Sequence, residues 1–489
     1  MTALTTDEYR TLLTGALEDA ADANTTQPAP QRLFTPSSHR LALAPDVTIV
    51  KGARGTGKTY WAKSLADPQL RDIAATAYMM PRLRSVDVIT GFSRDPDEGA
   101  PYPGKRVLTR LMATTEIEPV DFWSAVILMA LGVPQVVGAA GWAERIQWTH
   151  NNPEVYEQAL RTADRAARES RRTVVLLFDA LDHLHPDRVQ ADKLVGGLLE
   201  VALELRLTTS ALRAKIFIRP DMYKSAPKEF ADASKLDANS ADLIWYRENL
   251  YGLLFHQLGN FDSPEAAKFR ASTGPWQSED GRSIAPTPLL ADETRQEEAF
   301  VQLAGPYMGT DRRKGHTYTW VPNHLQDGNR EVSPRTWLYT LREAAALTGA
   351  RYSTHDHPIH YDAIRESLQA ASRIRVRELK EDIAWAELAV KQLEGGQVPM
   401  QPSAVRAYWE QGGLAAELRD MAAGDEDGSG PRNADDPYAL MDELEDIGVL
   451  TRRTARGVHP ADRPVDIPDV YRLAYEIGRL GGVSRKPLR

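Results

Sequence analysis

The chain has no cysteine among its 489 residues. That absence removes disulfides, thiolate metal sites and thiol nucleophiles together, and it fits a reducing compartment, so the cytoplasm is the expected location. It has no excess of positive charge either. Lys and Arg number 59 against 68 Asp and Glu, a formal charge of −9, so no global field draws it to nucleic acid or an anionic membrane, and a nucleic-acid role needs a local basic patch. No basic-then-apolar leader is visible, because residues 1–30 are polar, Ala/Thr-rich and acidic. One long uncharged run, the 22 residues from Phe122 to Ala143, meets the length of a membrane span. Gly132, Pro134, Gln135, Gly138 and Gly141 interrupt it and acidic Asp121 and Glu144 flank it. The run therefore reads as a buried helix from Asp121, as N-cap, to Leu131, and no membrane role is expected. With 42% hydrophobic and 26% charged residues, the chain has the means for two or three domains with real cores.

The informative stretch is Asp46 to Leu65. Val47–Val50 is a short β-branched run, and Gly52-Ala-Arg-Gly55-Thr56-Gly57-Lys58-Thr59-Tyr60 follows it and opens a helix-compatible segment. This is the phosphate-cradling pattern G-x-x-x-x-G-K-[ST] in its proper strand–loop–helix context. Gly52, Gly55 and Gly57 let consecutive N–H groups turn inward on phosphate oxygens. Lys58 supplies a mobile charge for the β and γ phosphates, and the Thr59 hydroxyl is placed to ligate Mg²⁺. Gly52, Gly55, Thr56, Gly57, Lys58, Thr59 and Tyr60 are the predicted nucleotide-binding residues.

Thr173–Asp182, TVVLLFDALD, is the second anchor. An unbroken apolar run with no polar face is how a central strand of a parallel sheet reads, and Asp179 stands at its carboxyl end, where open α/β sheets bind their ligands. Asp179 is therefore a Walker B candidate and, with Thr59, the predicted metal pair; a helix cap or turn is the plain alternative. Ala191–Thr208 has the spacing of a crossover helix, and Ala214–Arg219 is a further strand stopped by Pro220. Arg219 then sits at a strand's carboxyl end, where it either senses the γ-phosphate or pairs with Asp221 or Asp232. Ser85–Thr90 reads as one more strand.

In that order, Walker A, hhhhDxxD and a strand ending in a polar sensor, the chain resembles the signal-transducing STAND and AAA+-related P-loop ATPases of the ASCE class. It looks in particular like the bacterial members found in conflict and antiphage-defence neighbourhoods. Asp242–Trp245 through Leu258, and Ser333-Pro334-Arg335-Thr-Trp337-Leu338 at the start of a lid helix, fit the same family. The resemblance implies ATP and Mg²⁺ as cofactors and ATP hydrolysis; Arg335, at the start of the lid helix, either reports the γ-phosphate or caps a neighbouring acid. Typical AAA+ members follow the Walker B Asp with Glu; position 180 here is Ala, so Asp182 inherits the role of polarising water, and slow or partner-dependent hydrolysis is the expectation. Ser234-Lys235-Leu236-Asp237 approaches a guanine-reading pattern without its Asn or Thr, which favours ATP over GTP.

The remaining chain has less to say. Residues 261–332 are loop-rich and carry no assigned role. His355-Asp356-His357-Pro-Ile-His360 invites a metal reading, but lacks i, i+4 spacing for its first pair and reads as a turn before a helix. Tyr361–Leu393 carries a continuous apolar stripe and is predicted as one long bridging helix, ended by Gly395-Gly396. Helix Ala404–Met421, a linker over Gly424–Asp436, helix Pro437–Ile447, a strand-wing over Gly448–Val458 and a final helix after Pro468 resemble a winged helix. Asp435, Asp436, Asp442, Glu443, Glu445 and Asp446 crowd its second helix and argue for a protein partner over DNA, the basic groups being Arg452, Arg453 and Arg456 on the wing and the Arg485-Lys486 tail.

The predicted architecture is thus α/β. An N-terminal arm (1–31) precedes a P-loop parallel sheet with flanking helices (32–260), then an insert, lid and bridging helix (261–397) and a winged-helix-like domain (398–489). Three functions follow: an ATP-driven molecular switch with a protein or homo-oligomeric partner, a nucleic-acid-dependent motor or loader, and a non-hydrolysing nucleotide-gated scaffold.

Overall fold

The apolar run after Arg172 forms the strand its pattern predicts. In the computed structural model, which describes residues 4–17, 27–94, 96, 99–114, 116–279, 281–424, 430–454 and 457–481, Thr173–Phe178 is β3 of a five-stranded sheet. Its neighbours are β1 (Ile49–Lys51), β2 (Val86–Phe92), β4 (Leu212–Ile218) and β5 (Ser240–Asp242), in the spatial order β2-β3-β4-β1-β5. Every pairing is parallel, with Ile49 opposite Ile216 and Leu176 opposite Ala214. This is the expected α/β fold. Because β4 lies between β1 and β3, the carboxyl ends of the P-loop strand, the Asp179 strand and the Arg219 strand stand side by side.

β3 keeps the bounds read from the sequence; β1, β2 and β4 differ from the expected Val47–Val50, Ser85–Thr90 and Ala214–Arg219 by one or two residues at each end, and β5 has no counterpart in the sequence reading. The crossover helix runs Arg188–Thr208, three residues longer than expected at its start, because Asp187 caps it by accepting the Gln190 N–H. The uncharged run becomes a core helix, Pro119–Ala130, with Phe122 to Leu128 all buried and the Trp123 indole donating to the Leu194 carbonyl at 2.7 Å. Asp121 is not its cap. Pro119, suited to the first helical turn, moves the start back to Glu118, and Asp121 instead meets His150 at 2.7 Å. Among the described residues no helix is long and apolar enough to cross a membrane.

The chain divides into two compact units. One is His39–Leu243, which holds the sheet; the other gathers the described residues of 4–38, 244–423 and 430–481. These bounds differ from the expected 31/32 and 260/261. Helix Arg247–Asn260 belongs to the second unit because Leu250, Leu254, Phe255 and Leu258 are buried in its core. So does the N-terminal helix Thr6–Ala16: Thr5 and Glu8 form a capping box, and Leu12 and Leu13 are buried in the same core, so this stretch is a docked helix and not an arm.

Within the helical unit the predicted long helix is two, Tyr361–Asp382 and Ala384–Lys391, broken where Ile383 leaves helical geometry. Its stripe still serves two cores: Ile364 and Leu368 lie in the first, and Leu379, Ile383, Ala386 and Val390 in a second. The predicted helix Ala404–Met421 is likewise broken into Pro402–Gly412 and Leu414–Gly424, because Gly413 adopts a left-handed φ of 72°. Helix Pro437–Asp446 follows, then Thr451–Arg452 pairs antiparallel with Val465–Asp466, which also bridges to Met400. The expected final helix is the short Asp469–Arg472. Part of the acidic linker, Arg456, and the Arg485-Lys486 tail lie outside the described residues.

Candidate functional site

The loop after β1 has the form its glycines allow. Gly55 and Gly57 take φ of 78° and 96°, the left-handed region that favours glycine. At Gly52 a Cβ would stand 2.5 Å from the Thr56 hydroxyl oxygen and 3.2 Å from Lys58 Cγ, so the turn closes only without one. The Gly52 N–H donates to the Ile218 carbonyl at 3.1 Å, which fastens the loop to the end of β4. Helix Lys58–Ala66 starts at Gly57 with no side-chain cap, so the loop leads directly into a helix N-terminus. Tyr60 and Trp61 meet edge to face, and the Trp61 indole donates to His39 Nδ1 at 3.0 Å, which anchors this helix to the segment before β1.

Lys58 lies folded over that loop. Its ammonium donates to the carbonyls of Gly52 at 2.9 Å and Ala53 at 3.0 Å. Its pKa falls to about 8 because desolvation disfavours the charged form; Asp182 and Asp179 oppose this, and Arg219 adds to it. The loop lysine, both predicted acids and the predicted sensor arginine therefore share one electrostatic neighbourhood.

Asp179 is 5% exposed, and its N–H donates to the Phe92 carbonyl at 3.0 Å, so the strand positions it. Burial pushes its carboxyl above the ordinary value, while the Thr59 hydroxyl, the Lys58 charge and the Ala180 N–H favour the ionised form. One carboxylate oxygen, Oδ1, is buried with no hydrogen-bond partner. A buried, unpartnered oxygen costs free energy unless a cation or donor meets it. Together with a cradle that excludes a Cβ at Gly52 and a hydroxyl at Thr59, this oxygen fits a Mg²⁺-bound nucleoside polyphosphate.

Asp182 reaches the site differently. Ala180 adopts a left-handed φ of 57°, which turns the chain into the short 3₁₀ helix Leu181–His183. The crowding around Asp182 disfavours its charge, but His183, Arg219 and Lys58 outweigh that and hold its carboxyl below the usual range. Arg219 is 8% exposed and forms a two-point pair with Asp221, which Arg188 also contacts. Of the two readings open for Arg219 in the sequence, pairing with Asp221 is the contact present. Arg188, 33 residues from Asp221 in the chain, left no local signal.

Arg335 belongs to the helical unit. Ser333 caps helix Pro334–Arg351, with Pro334 in its first turn, and Arg335 pairs with Glu378 at 2.9 Å. The His355–His360 stretch is a cluster of rings in which His360 Nδ1 accepts the Asp362 N–H and so caps helix Tyr361–Asp382. Among the described residues, no three His, Cys, Asp or Glu side chains are grouped to hold a metal.

Fold and site together define a P-loop α/β unit. No protein-family model matches the sequence, and no curated protein does. Among solved structures, the chain is similar to the ORC2 protein of Aeropyrum pernix in ADPNP–ADP complexes, at 14% identity over 88% of this chain and 87% of that one, with a TM-score of 0.37. It is similar also to Cdc6p of Pyrobaculum aerophilum, at 12% identity over 88% and 87%, with a TM-score of 0.29. The ADP form of ORC2 gives 12%, coverage of 90% and 92%, and 0.32.

Proposed function

We propose that this chain is an ATP-binding and ATP-hydrolysing molecular switch, whose nucleotide state controls the helix that begins at Pro334 and the C-terminal helix-and-wing region. The observation that carries this reading is the buried Asp179 carboxylate with its unpartnered Oδ1. Lys58 and the loop N–H groups bind the phosphates. Thr59 and Asp179 hold Mg²⁺, which when bound neutralises phosphate charge. Asp182, held ionised, orients the attacking water in place of the absent carboxylate at position 180.

The C-terminal region favours a protein partner or a second copy over nucleic acid. Arg452 is paired with Asp442 at 2.7 Å and also contacts Glu445, and Arg453 is paired with Asp466. Arginines already neutralised within the domain have less charge to offer phosphates. An antiphage setting rests on the sequence resemblance alone.

The test is steady-state Mg²⁺-ATP turnover with and without DNA, RNA and a second copy at raised concentration. Turnover that rises with protein concentration and ignores nucleic acid supports the switch. Stimulation by DNA that fades with salt supports a motor or loader, and tight ATP binding without turnover supports a scaffold.

A further inference from the structure

We infer that His183 is a positioning residue that holds the Asp182 carboxylate for the attacking water; the inference rests on the ATPase reading above. Three features of the turn after β3 carry it. An aliphatic side chain stands directly after Asp179, and the left-handed Ala180 hands the chain to a single 3₁₀ turn. That turn is nailed at both ends, Leu181 being 1% and Leu184 0% exposed. Between these anchors the side chains of Asp182 and His183 remain 30% and 29% exposed, and His183 Nε2 lies 3.8 Å from Asp182 Oδ2.

Asp182 also lies in the field of Lys58 and Arg219, so it belongs to the P-loop site and is more than a surface acid. A carboxylate that receives a proton from water must be held at one angle, and the terminal torsion of Asp is broad unless something fixes it. A base oriented by a third group solves that problem in many hydrolases. Here that third group is the His183 imidazole. At 3.8 Å the two groups are in ion-pair range only with a protonated imidazole and stand just beyond hydrogen-bond distance; catalytic hydrogen bonds are often long before substrate binds and tighten in the substrate complex.

In the step assigned to the pair, the water oxygen bonds to the γ-phosphorus. The bond from that phosphorus to the β,γ-bridging oxygen breaks, its electron pair leaving on ADP. One water proton passes to the Asp182 carboxylate and then to solvent. His183 does not accept that proton; its N–H fixes the angle at which Asp182 does.

The experiment is Mg²⁺-ATP turnover of the full chain in five variants, each checked for an unchanged melting temperature. His183→Ala is expected to lower kcat about tenfold with KM for ATP within about twofold. His183→Gln, whose amide nitrogen comes near the place of Nε2, keeps at least about half of kcat, whereas the shorter His183→Asn behaves as His183→Ala. Against an Asp182→Asn background, His183→Ala causes no further loss, because its effect runs through that carboxylate. Unchanged kcat in His183→Ala, a Gln variant no better than Ala, or losses that multiply with Asp182→Asn would each overturn the inference while leaving the ATPase reading in place. A wild-type chain that binds ATP without turning it over would overturn both.

Discussion

Arg219 and Asp221 face each other in a flat two-point contact, Nε to Oδ1 and Nη2 to Oδ2, both at 3.0 Å. The carboxylate is 5% exposed and Arg188 reaches it as well. Burial alone would raise the Asp221 pKa; the two guanidiniums reverse that and hold it far below the usual carboxylate range. The pair therefore fixes the end of β4, to which the P-loop is fastened through the Gly52–Ile218 hydrogen bond.

Removing Arg219 strips the buried Asp221 carboxylate of its two-point partner and leaves Arg188 to neutralise it. Arg219→Ala is expected to destabilise the sheet unit by about 2 kcal/mol, and Arg219→Lys by less but still measurably, since an ammonium cannot make the fork. Urea unfolding followed by tryptophan fluorescence measures this. A variant as stable as wild type but slow in turnover would instead mark Arg219 as a γ-phosphate sensor.

Lys58 of the P-loop and Asp179 at the end of β3 are expected to divide binding from turnover. Lys58→Ala should weaken ATP binding about ten- to a hundredfold, the worth of a charge-assisted hydrogen bond. Asp179→Asn should keep affinity within a few-fold but reduce Mg²⁺-dependent turnover about a hundredfold or more. Calorimetry and turnover together check this; equal losses of affinity in both variants would contradict the division.

These two positions were legible because their signals are local. Three glycines and a lysine specify one loop, and five apolar residues ending in Asp specify one buried strand. What the sequence hid was long-range or turned on competition between neighbouring signals. The N-terminal helix looked like an arm because the core that buries Leu12 and Leu13 comes from residues 245 and beyond. Asp121 is a good cap by type, but Pro119 two residues earlier fixed the start. Gly412-Gly413 lay inside an apparently continuous helical pattern, and only the left-handed geometry at Gly413 shows that it divides it. Lys215 lies inside the predicted strand Ala214–Arg219, but nothing in that pattern announced that its side chain is buried.

That lysine supplies a pH signature. Lys215 is 1% exposed, and its nitrogen donates to the carbonyls of Ala42, Ala44 and Val47 at 2.8, 3.0 and 2.8 Å. Burial lowers its pKa from 10.5 to about 7, with Asp46 opposing. Between about 7 and 10.5 the unfolded chain binds the extra proton, so this group's contribution to stability rises with pH across that window and is lost as pH falls through 7. Denaturant unfolding at several pH values should show the rise, at most about 1.4 kcal/mol per unit. Lys215→Met should abolish it; a rise persisting in the variant would assign it to other groups.

Arg335 has a modest structural task. Its side chain is 29% exposed, and Glu378 keeps Arg375 as a second partner when Arg335 is removed. Arg335→Ala should therefore cost about 1 kcal/mol or less. If Arg335 also reports the γ-phosphate, the variant should lose the difference between ATP and ADP states in hydrogen exchange over residues 400–481 while ADP affinity barely changes. A difference that survives the substitution would rule Arg335 out as the sensor.

Ser38 donates its hydroxyl to the Ile244 carbonyl at 2.9 Å, and these two residues are the last before and the first after the sheet unit in the chain. The sheet unit is thus a guest in the chain of the helical unit, its host: the chain enters it after Ser38 and leaves it before Ile244. Such a guest can be lifted out, because neither of its ends has to be carried across its body to rejoin anything. The segment 39–243, expressed alone, should fold and bind nucleotide, and the host with a short flexible bridge from Ser38 to Ile244 should keep its helices. An ancestor assembled by insertion would leave this arrangement, and its host, stripped of the P-loop, would be the part to compare with proteins that bind no nucleotide at all.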